Sequence, residues 1–306
     1  MKYAIISDTH GNAPAFKAVI ADAQKQNVDQ FLLLGDYAAS FPWGNDVVEI
    51  IRNIPNATVI KGNGEDYLIN IHKNAQKDFS HKQFAPIYWG YQSQTAPNME
   101  YGMNLPQTLT IGDIYLNHSL DAFYRTPPVE FFISNFYREM MNTAPFPFEE
   151  YIPRATAAIL ARPDAVADIM ALPRGIHLFG HNHLQFHMEY EGRIFINPGS
   201  CGEPLDWNTA APYTILEYKN GVHSIEERRV EYDLQATAQK LRESEYAAFA
   251  PAWSRIMELE LFTGKDYFMP FVLHLVETSK AMGETEYPVS NKAFDAACET
   301  WDEGKY

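Results

Sequence analysis

The chain has 306 residues, of which 46% are hydrophobic and 21% charged, a composition typical of a globular protein with a sizeable core. Its formal net charge of -15 repels the nucleic-acid backbone, and no stripe of Lys and Arg reverses it locally, so no nucleic-acid partner is expected. No run of about 18 apolar residues predicts a membrane span. The N-terminus lacks a secretory signal pattern and only two cysteines occur, so we expect a cytoplasmic protein without disulfides.

Three short apolar runs, at 3–7, 31–34 and 57–60, predict the first strands. Apolar residues at helical spacing separate them, first from Phe16 to Ala23 and then from Val47 to Ile54. Because strand and helix alternate, we expect βαβ units and a largely parallel sheet.

The next predicted elements are less regular. Strands are predicted at 109–111, 114–116, 176–179, 193–196 and 213–218. Gly112-Asp113 and Asn220-Gly221 predict hairpins, and a helix over 153–171 is interrupted at Pro163. The hairpins indicate that this part of the chain is more antiparallel than the N-terminal part. The predicted fold is therefore α/β, with two packed mixed β-sheets flanked by helices.

Two aromatic-rich stretches, at about 66–105 and 120–151, are predicted to be insertions into a domain spanning 1–232. Their aromatic residues are typical of a satellite core, and a cap over the site is the alternative. From 233 to 306 the pattern is purely helical, with Ser290 as a predicted N-cap. We expect this helical C-terminal extension to pack on the domain, with an oligomer contact as the alternative.

Polar residues follow the predicted strands at the points where ligands collect in α/β sheets. They are Asp8, His10, Asp36, Asn63, His118, His181 and His183. Carboxylate and imidazole donors suit Mn, Fe, Zn, Co or Ni more than Mg or Ca, and no cysteine is among the candidate ligands, so a structural zinc site of the cysteine type is not expected. The sequence therefore predicts a centre for two divalent transition-metal ions.

The order DxH, GD, GN, H and GHxH of these residues resembles the calcineurin-like metallophosphoesterase superfamily. Asn197-Pro198-Gly199-Ser200 resembles its bacterial branch of small phosphodiesterases and dinucleoside-polyphosphate hydrolases. The resemblance covers about residues 1–232 and implies the four-layer sandwich of that superfamily.

The resemblance also implies two sets of metal ligands that share Asp36. One ion would be held by Asp8, His10, Asp36 and His183, and the other by Asp36, Asn63, His118 and His181. Asp36, Asn63 and His118 are also assigned to catalysis. Two ions about 3.5–4 Å apart would acidify a shared water, and the resulting hydroxide would attack phosphorus in line.

This chain departs from the family pattern at Gly64, where many members have a histidine to which protonation of the leaving group or stabilisation of the phosphoryl oxygens is assigned. Glu65, Asp66, His72 and His81 follow closely and are candidate substitutes. A leaving group that needs little protonation is the other explanation, and a pyrophosphate-type leaving group would fit it. Candidates for binding a distal phosphate are Arg125, Arg154 and Arg193.

The resemblance implies a small phosphorylated substrate, and we expect a phosphodiesterase or a dinucleoside-polyphosphate hydrolase. A phosphomonoesterase acting on protein or small molecules is one alternative. A non-catalytic scaffold of the same fold, as in a retromer subunit that resembles this superfamily, is another. The negative charge disfavours a nuclease. A homo-oligomer remains open.

Overall fold

A computed structural model describes residues 1–74, 80–123, 150–219 and 222–305 of the chain. Its strands are β1 (Lys2–Ile6), β2 (Gln30–Leu33), β3 (Ala57–Val59), β4 (Thr108–Ile111), β5 (Ile114–Asn117), β6 (Gly175–Leu178), β7 (Gln185–Tyr190), β8 (Arg193–Pro198), β9 (Ala211–Lys219) and β10 (Val222–Val230). Its helices are α1 (Ala13–Lys25), α2 (Gly44–Asn53), α3 (Asn63–Lys73), α4 (Ala85–Gln92), α5 (Ala96–Asn104), α6 (Tyr151–Leu160), α7 (Pro163–Ala171), α8 (Leu234–Arg242), α9 (Glu245–Phe249), α10 (Pro251–Thr263), α11 (Phe268–Ala281) and α12 (Asn291–Thr300).

The strands form two mixed sheets. The first has the order β10-β9-β1-β2-β3, in which β1, β2 and β3 are parallel and β9 is antiparallel to both of its neighbours. The second has the order β4-β5-β6-β8-β7, in which β5, β6 and β8 are parallel and the edge strands are antiparallel. The predicted α/β fold with two packed mixed sheets is confirmed.

An aliphatic core joins the two sheets face to face. Ile5 and Leu32 from the first sheet share one buried cluster with Leu116, Ile176 and Leu178 from the second. Because side chains alternate along a strand, the other residues of β1 point to the opposite face. A sheet covered on both faces needs strands that are apolar throughout, which is why the first runs lack polar alternation.

Helices cover the outer face of each sheet. α1 and α2 pack on the first sheet through Phe16, Val19 and Val47, and α6 and α7 pack on the second through Ile159 and Ile169. Pro163 is the first residue of α7, so the predicted interruption of the 153–171 helix is confirmed.

The C-terminal helices share the core of the first sheet. Leu241, Trp253 and Phe271 lie in the same buried cluster as Ala4 and Ile6 of β1. The last helix begins at the predicted N-cap, because the Ser290 side chain accepts a hydrogen bond from the Ala293 N–H. The division of the chain at about residue 232 stays a prediction.

In the described part of the first aromatic stretch, Leu68, Ile69 and Met99 form a small cluster with Ala38, separate from the main core. Most of the second stretch, residues 124–149, lies outside the described residues. The hairpin at Gly112-Asp113 is confirmed by the antiparallel pairing of β4 with β5. Asn220-Gly221 also lies outside the described part, although β9 and β10 pair antiparallel on either side of it.

The prediction missed β7. Phe186 and Met188 are buried and alternate with exposed residues, so a period-2 pattern was present. Within the ranges that the structure describes, no helix is both long enough and apolar enough to cross a bilayer.

Candidate metal centre

The seven predicted ligands lie on loops beyond the carboxyl ends of parallel strands. Asp8 and His10 follow β1, Asp36 follows β2, and Asn63 begins α3 after β3. His118 follows β5 directly, and His181 and His183 lie in the loop after β6. Because the two sheets pack face to face, these loops meet at one end of the sandwich.

The first cluster contains Asp8, His10 and His183, whose potential ligand atoms lie within 4.8 Å of one another. The Nε2 atoms of His10 and His183 are 3.0 Å apart, and each is 3.7 Å from Asp8 Oδ1. The first sheet thus supplies two members of the cluster and the second sheet one.

The second cluster contains Asp36, His118 and His181, within the same mutual distance. His118 Nε2 lies 3.5 Å from Asp36 Oδ2 and 2.9 Å from the side-chain oxygen of Asn63. Asn63, the seventh predicted residue, therefore adjoins this cluster.

Asp36 lies between the two clusters. Its Oδ2 atom is 3.5 Å from His118 Nε2 and 3.8 Å from His10 Nε2, while its Oδ1 atom accepts a hydrogen bond from the Gly64 N–H at 2.6 Å. A single carboxylate oxygen thus faces a ligand atom of each cluster, which is the position that a bridging ligand requires.

Five of the seven residues have left-handed backbone conformations. The φ angles are 51° for Asp8, 45° for His10, 55° for Asp36, 70° for His181 and 60° for His183. Each such conformation costs roughly 1–2 kcal/mol in a residue other than glycine. Hydrogen bonds from Asp8 N to Gly35 O and from His10 N to Asp36 O, both 3.0 Å, hold the loops in this form. Strain of this kind is concentrated at functional sites.

Two histidines are oriented by backbone carbonyl groups. The Nδ1 atom of His118 lies 2.8 Å from Leu34 O, and that of His183 lies 2.8 Å from Glu203 O. A carbonyl oxygen only accepts, so each Nδ1 carries a proton, and each Nε2 is the ring nitrogen that would bind a metal ion.

The donor atoms fit cations. His183 Nε2 faces His10 Nε2 at 3.0 Å, and His118 Nε2 faces the Asn63 oxygen at 2.9 Å, so the two acceptors of each pair repel each other unless a proton or a metal ion lies between them. The Asp8 Oδ1 atom is buried and has no hydrogen-bond partner among the described residues. Positive charge between these atoms removes the repulsion.

The pKa values show the same demand for positive charge. Burial alone would lower the pKa of His118, but the Asp36 and Asp8 carboxylates raise it to about 10. Burial likewise opposes protonation of His10, yet Glu203, Asp8 and Asp36 raise its pKa to about 9. By contrast, burial and the charge of His118 lower the pKa of His181 to about 4. Protons therefore occupy the positions that metal ions would take.

From the sequence, Glu65 is predicted only as a candidate acid, whereas in the structure it holds two loops together by hydrogen bonds. Its carboxylate accepts hydrogen bonds from the N–H groups of Gly62, Asp36 and Tyr37 at 2.8–2.9 Å. Gly62 is required beside it, because a Cβ atom there would lie 2.2 Å from Asp36 Oδ1. The signal was present, since glutamate at the third position of a helix commonly binds the N-terminal N–H groups.

The Asn197-Pro198-Gly199-Ser200 segment supports the site from the end of β8. The Asn197 amide donates to Gly180 O at 2.9 Å, and the Ser200 hydroxyl donates to Asp8 O at 2.7 Å. Gly180 allows its loop to lie close to Asp8, because a Cβ atom at this position would lie 2.3 Å from Asp8 Oδ2.

Of the candidate acids, Glu65 contacts a predicted ligand, because it accepts a hydrogen bond from the backbone N–H of Asp36. Asp66 is bound by Lys61 at 2.6 Å, His72 faces the hydroxyl of Tyr91, and His81 bonds to Val289 O. No structural observation places these last three beside the clusters.

The candidate phosphate-binding arginines have other partners. Buried Arg193 donates to the carbonyl groups of Met170, Leu172 and Glu191, and Arg154 pairs with Glu150. Arg125 lies outside the described residues.

Two facing mixed sheets with histidine and carboxylate clusters at the ends of their strands define a metallophosphoesterase. A family model described as calcineurin-like phosphoesterase matches residues 1–185, so the chain belongs to the calcineurin-like phosphoesterase family. It is therefore a metal-dependent phosphoric ester hydrolase, and its family acts on phosphorylated substrates with divalent metal ions.

The chain is also similar to individual proteins and solved structures. An uncharacterised protein of Methanocaldococcus jannaschii is 27% identical over 253 residues, covering 78% of this chain and 90% of its own. A metallophosphoesterase from Sphaerobacter thermophilus superposes with a TM-score of 0.62 at 21% identity, covering 86% of this chain and 100% of its own. A hypothetical protein from Pyrococcus horikoshii gives 0.58 at 15% identity, covering 87% and 99%. The two structures establish likeness of fold.

Proposed function

We propose that this protein hydrolyses phosphodiesters or phosphoanhydrides, such as dinucleoside polyphosphates, with two divalent transition-metal ions. The observation that carries the proposal is the meeting of seven oxygen and nitrogen donors in two adjoining clusters on either side of Asp36. The donor types suit Mn, Fe, Zn, Co or Ni.

In this proposal Asp8, His10, Asp36 and His183 hold one ion, and Asp36, Asn63, His118 and His181 hold the other. When bound, the ions would supply an acidified water and positive charge against the phosphoryl oxygens. The chain's own groups then have positioning roles. Leu34 O and Glu203 O keep the His118 and His183 rings in the metal-binding tautomer, and Glu65 holds the loops that carry Asp36 and Asn63.

The surroundings of Gly64 support a substrate with a good leaving group. Gly64 N donates to Asp36 Oδ1, and the position has no side chain that could deliver a proton. Loss of general acid catalysis costs roughly 10²–10⁴-fold where the leaving group is a strong base. A phosphate leaving group, whose second pKa is about 6, departs without that proton. This favours phosphoanhydrides and activated diesters over alkyl monoesters.

A substrate panel with added Mn²⁺ tests the proposal. Purified protein is assayed with bis-p-nitrophenyl phosphate, p-nitrophenyl phosphate, an alkyl phosphomonoester and diadenosine tetraphosphate, and bound metal is measured in parallel. We expect kcat/KM to be highest for the diester or the tetraphosphate and lowest for the alkyl monoester. A preference for the alkyl monoester would instead support the phosphomonoesterase alternative, and an inert protein without bound metal would support the scaffold.

The role of Gly64 can be tested with Gly64→His. A Cβ atom at this position would lie 3.0 Å from Asp36 Oδ1, so the loop must move by a few tenths of an ångström to admit the side chain. We expect kcat for substrates with poor leaving groups to rise relative to kcat for p-nitrophenyl esters. The measurement is the slope of log kcat against leaving-group pKa for a series of aryl esters. Gly64→Ala is the matched control, and an unchanged slope in the histidine variant would contradict the interpretation.

We also propose that residues 233–306 are a helical extension of a domain formed by 1–232. The helices of this extension complete the hydrophobic layer outside the first sheet, because Trp253 and Phe271 belong to the same buried cluster as residues of β1.

A further inference from the structure

The buried side chain of Glu203 lies beside the first cluster and interacts electrostatically with residues of the C-terminal extension. Glu203, in the loop after β8, is 6% exposed, and its Oε2 atom lies 3.7 Å from His10 Nδ1. Its backbone carbonyl binds His183 Nδ1, as described above. One residue therefore faces the outer nitrogen atoms of both histidines in the first cluster.

Two buried side chains of the C-terminal extension interact electrostatically with Glu203. Tyr246 on α9 is fully buried, and burial together with the negative charge of Glu203 raises the pKa of its hydroxyl well above the usual range. Glu260 on α10 is 2% exposed, and its electrostatic neighbours include Glu203. The Glu203 carboxylate is thus an electrostatic neighbour of both side chains.

The hydrogen bonds around Glu203 are incomplete among the described residues. His10 Nδ1, Tyr246 Oη and Glu260 Oε2 are all buried and lack a hydrogen bond there, His10 Nδ1 being 3.7 Å from Glu203 Oε2. Buried polar atoms are normally paired, and the Glu203 carboxylate both faces His10 Nδ1 and interacts electrostatically with Tyr246 and Glu260, so it is the candidate partner for all three. Histidines bound to a metal commonly donate their second ring N–H to a carboxylate, and catalytic hydrogen bonds are often long in an unliganded site.

We propose that Glu203 is a positioning residue for His10, and that Tyr246 and Glu260 of the C-terminal extension hold its carboxylate in place. Charge favours this arrangement. Glu260 Oε1 accepts hydrogen bonds from the N–H groups of Tyr267 and Phe268, which leaves Oε2 for Glu203. Burial and the charges of Glu203 and Asp266 raise the pKa of Glu260 well above its usual range, which favours the form that can donate a hydrogen bond to Glu203. The Tyr246 hydroxyl is a second neutral donor. The extension would thus support one half of the metal centre.

This inference rests on the proposed metal centre but not on the identity of the substrate. Its test is therefore cation binding, measured by titration calorimetry with Mn²⁺ in the absence of substrate. His10→Asn and His118→Asn assign the binding steps to the first and second clusters. We expect Glu203→Ala to weaken the step lost in His10→Asn by about 10–100-fold and to leave the step lost in His118→Asn unchanged.

Graded variants separate positioning from a general effect on folding. Glu203→Gln keeps an acceptor oxygen and should restore part of the affinity, whereas Tyr246→Phe should weaken the same step by a smaller factor. Glu258→Gln is the matched control, because Glu258 lies on α10 near Glu260 but pairs with Arg242. If Glu203→Ala does not fold, Glu203→Gln and Tyr246→Phe decide the question.

The outcomes distinguish this inference from the proposed function. Wild-type-like binding at both steps in the Glu203 and Tyr246 variants, or equal weakening of both steps, overturns the positioning role. Binding of two cations with the expected selective loss, but no hydrolysis of diesters or tetraphosphates, overturns the proposed substrate class alone. A wild-type protein that binds no cation overturns both.

Discussion

At the scale of single residues, the candidate metal centre brings buried carboxylates and histidines close together, which is unfavourable unless positive charge lies between them. Asp8 and Asp36 are both buried, and their carboxylates lie within 4 Å of His10 Nε2. Burial raises the pKa of Asp36, but His118 and His10 outweigh that effect and lower it to about 2. The carboxylate therefore remains ionised at neutral pH and can attract metal ions.

The charge of Asp36 can be tested with Asp36→Asn. Asparagine keeps an oxygen to accept the Gly64 N–H bond but loses the negative charge that faces both clusters. We expect turnover of bis-p-nitrophenyl phosphate to fall by at least about 10²-fold and bound metal to decrease. Kinetics and elemental analysis measure the two effects, and near-normal activity would refute the bridging role.

At the scale of the elements, a polar contact joins the first helix to the edge of the first sheet. Asp22 on α1 accepts hydrogen bonds from the Tyr213 hydroxyl of β9 at 2.6 Å and from Arg228 Nε of β10 at 2.9 Å. Burial raises the pKa of Asp22, but these two partners outweigh it and lower the pKa overall. The contact supports the packing of α1, whose N-terminus follows the Asp8–His10 loop.

Asp22→Asn should reduce the free energy of unfolding by roughly 1 kcal/mol at neutral pH, because one charged acceptor is lost. A lowered folded-state pKa means that the stabilisation is present above the unfolded-state pKa and disappears as pH falls through the folded-state value. Urea unfolding from pH 7 downwards should therefore show the two proteins converging in acid. Glu189→Gln, at an exposed position on β7, is the control, and a pH-independent difference would contradict this explanation.

At the scale of the whole molecule, each cluster draws ligands from both sheets. Asp8 and His10 come from the first sheet and His183 from the second, while Asp36 meets His118 and His181. Bound ions would thus connect the sheets at one end of their shared aliphatic core. Metal occupancy should consequently stabilise the packing of the two sheets as well as supply chemistry.

Metal removal should lower the thermal stability of the protein. A free ion concentration of about 100 times Kd stabilises the native state by roughly 2.7 kcal/mol for each site, which corresponds to several degrees in Tm. Scanning calorimetry with Mn²⁺ and after chelation measures the shift. Asp36→Asn should show a smaller response, and a wild-type Tm that is insensitive to Mn²⁺ would contradict the cross-sheet role.

Local patterns in the sequence predicted much of the fold. The first three strands lie within one residue of the apolar runs that predicted them, because strands buried on both faces must be apolar throughout. Ser290 and Pro163 begin helices as their capping and N-terminal preferences require. The order of DxH, GD, GN and GHxH also identified the family, and each of these motifs follows a strand.

Tertiary structure decided what these patterns could not. Nothing local to Glu203 relates it to His10, because their proximity depends on how the loop after β8 meets the loop after β1. The relation of Tyr246 and Glu260 to Glu203 depends on how the C-terminal helices pack. The bracing role of Glu65 likewise depends on the closeness of two loops that are 29 residues apart. Sequence by itself determined which atoms can bind metal, through side-chain chemistry at strand ends. Only the facing of the two sheets decided which of those atoms meet, because contacts between distant loops arise from packing and not from local preference.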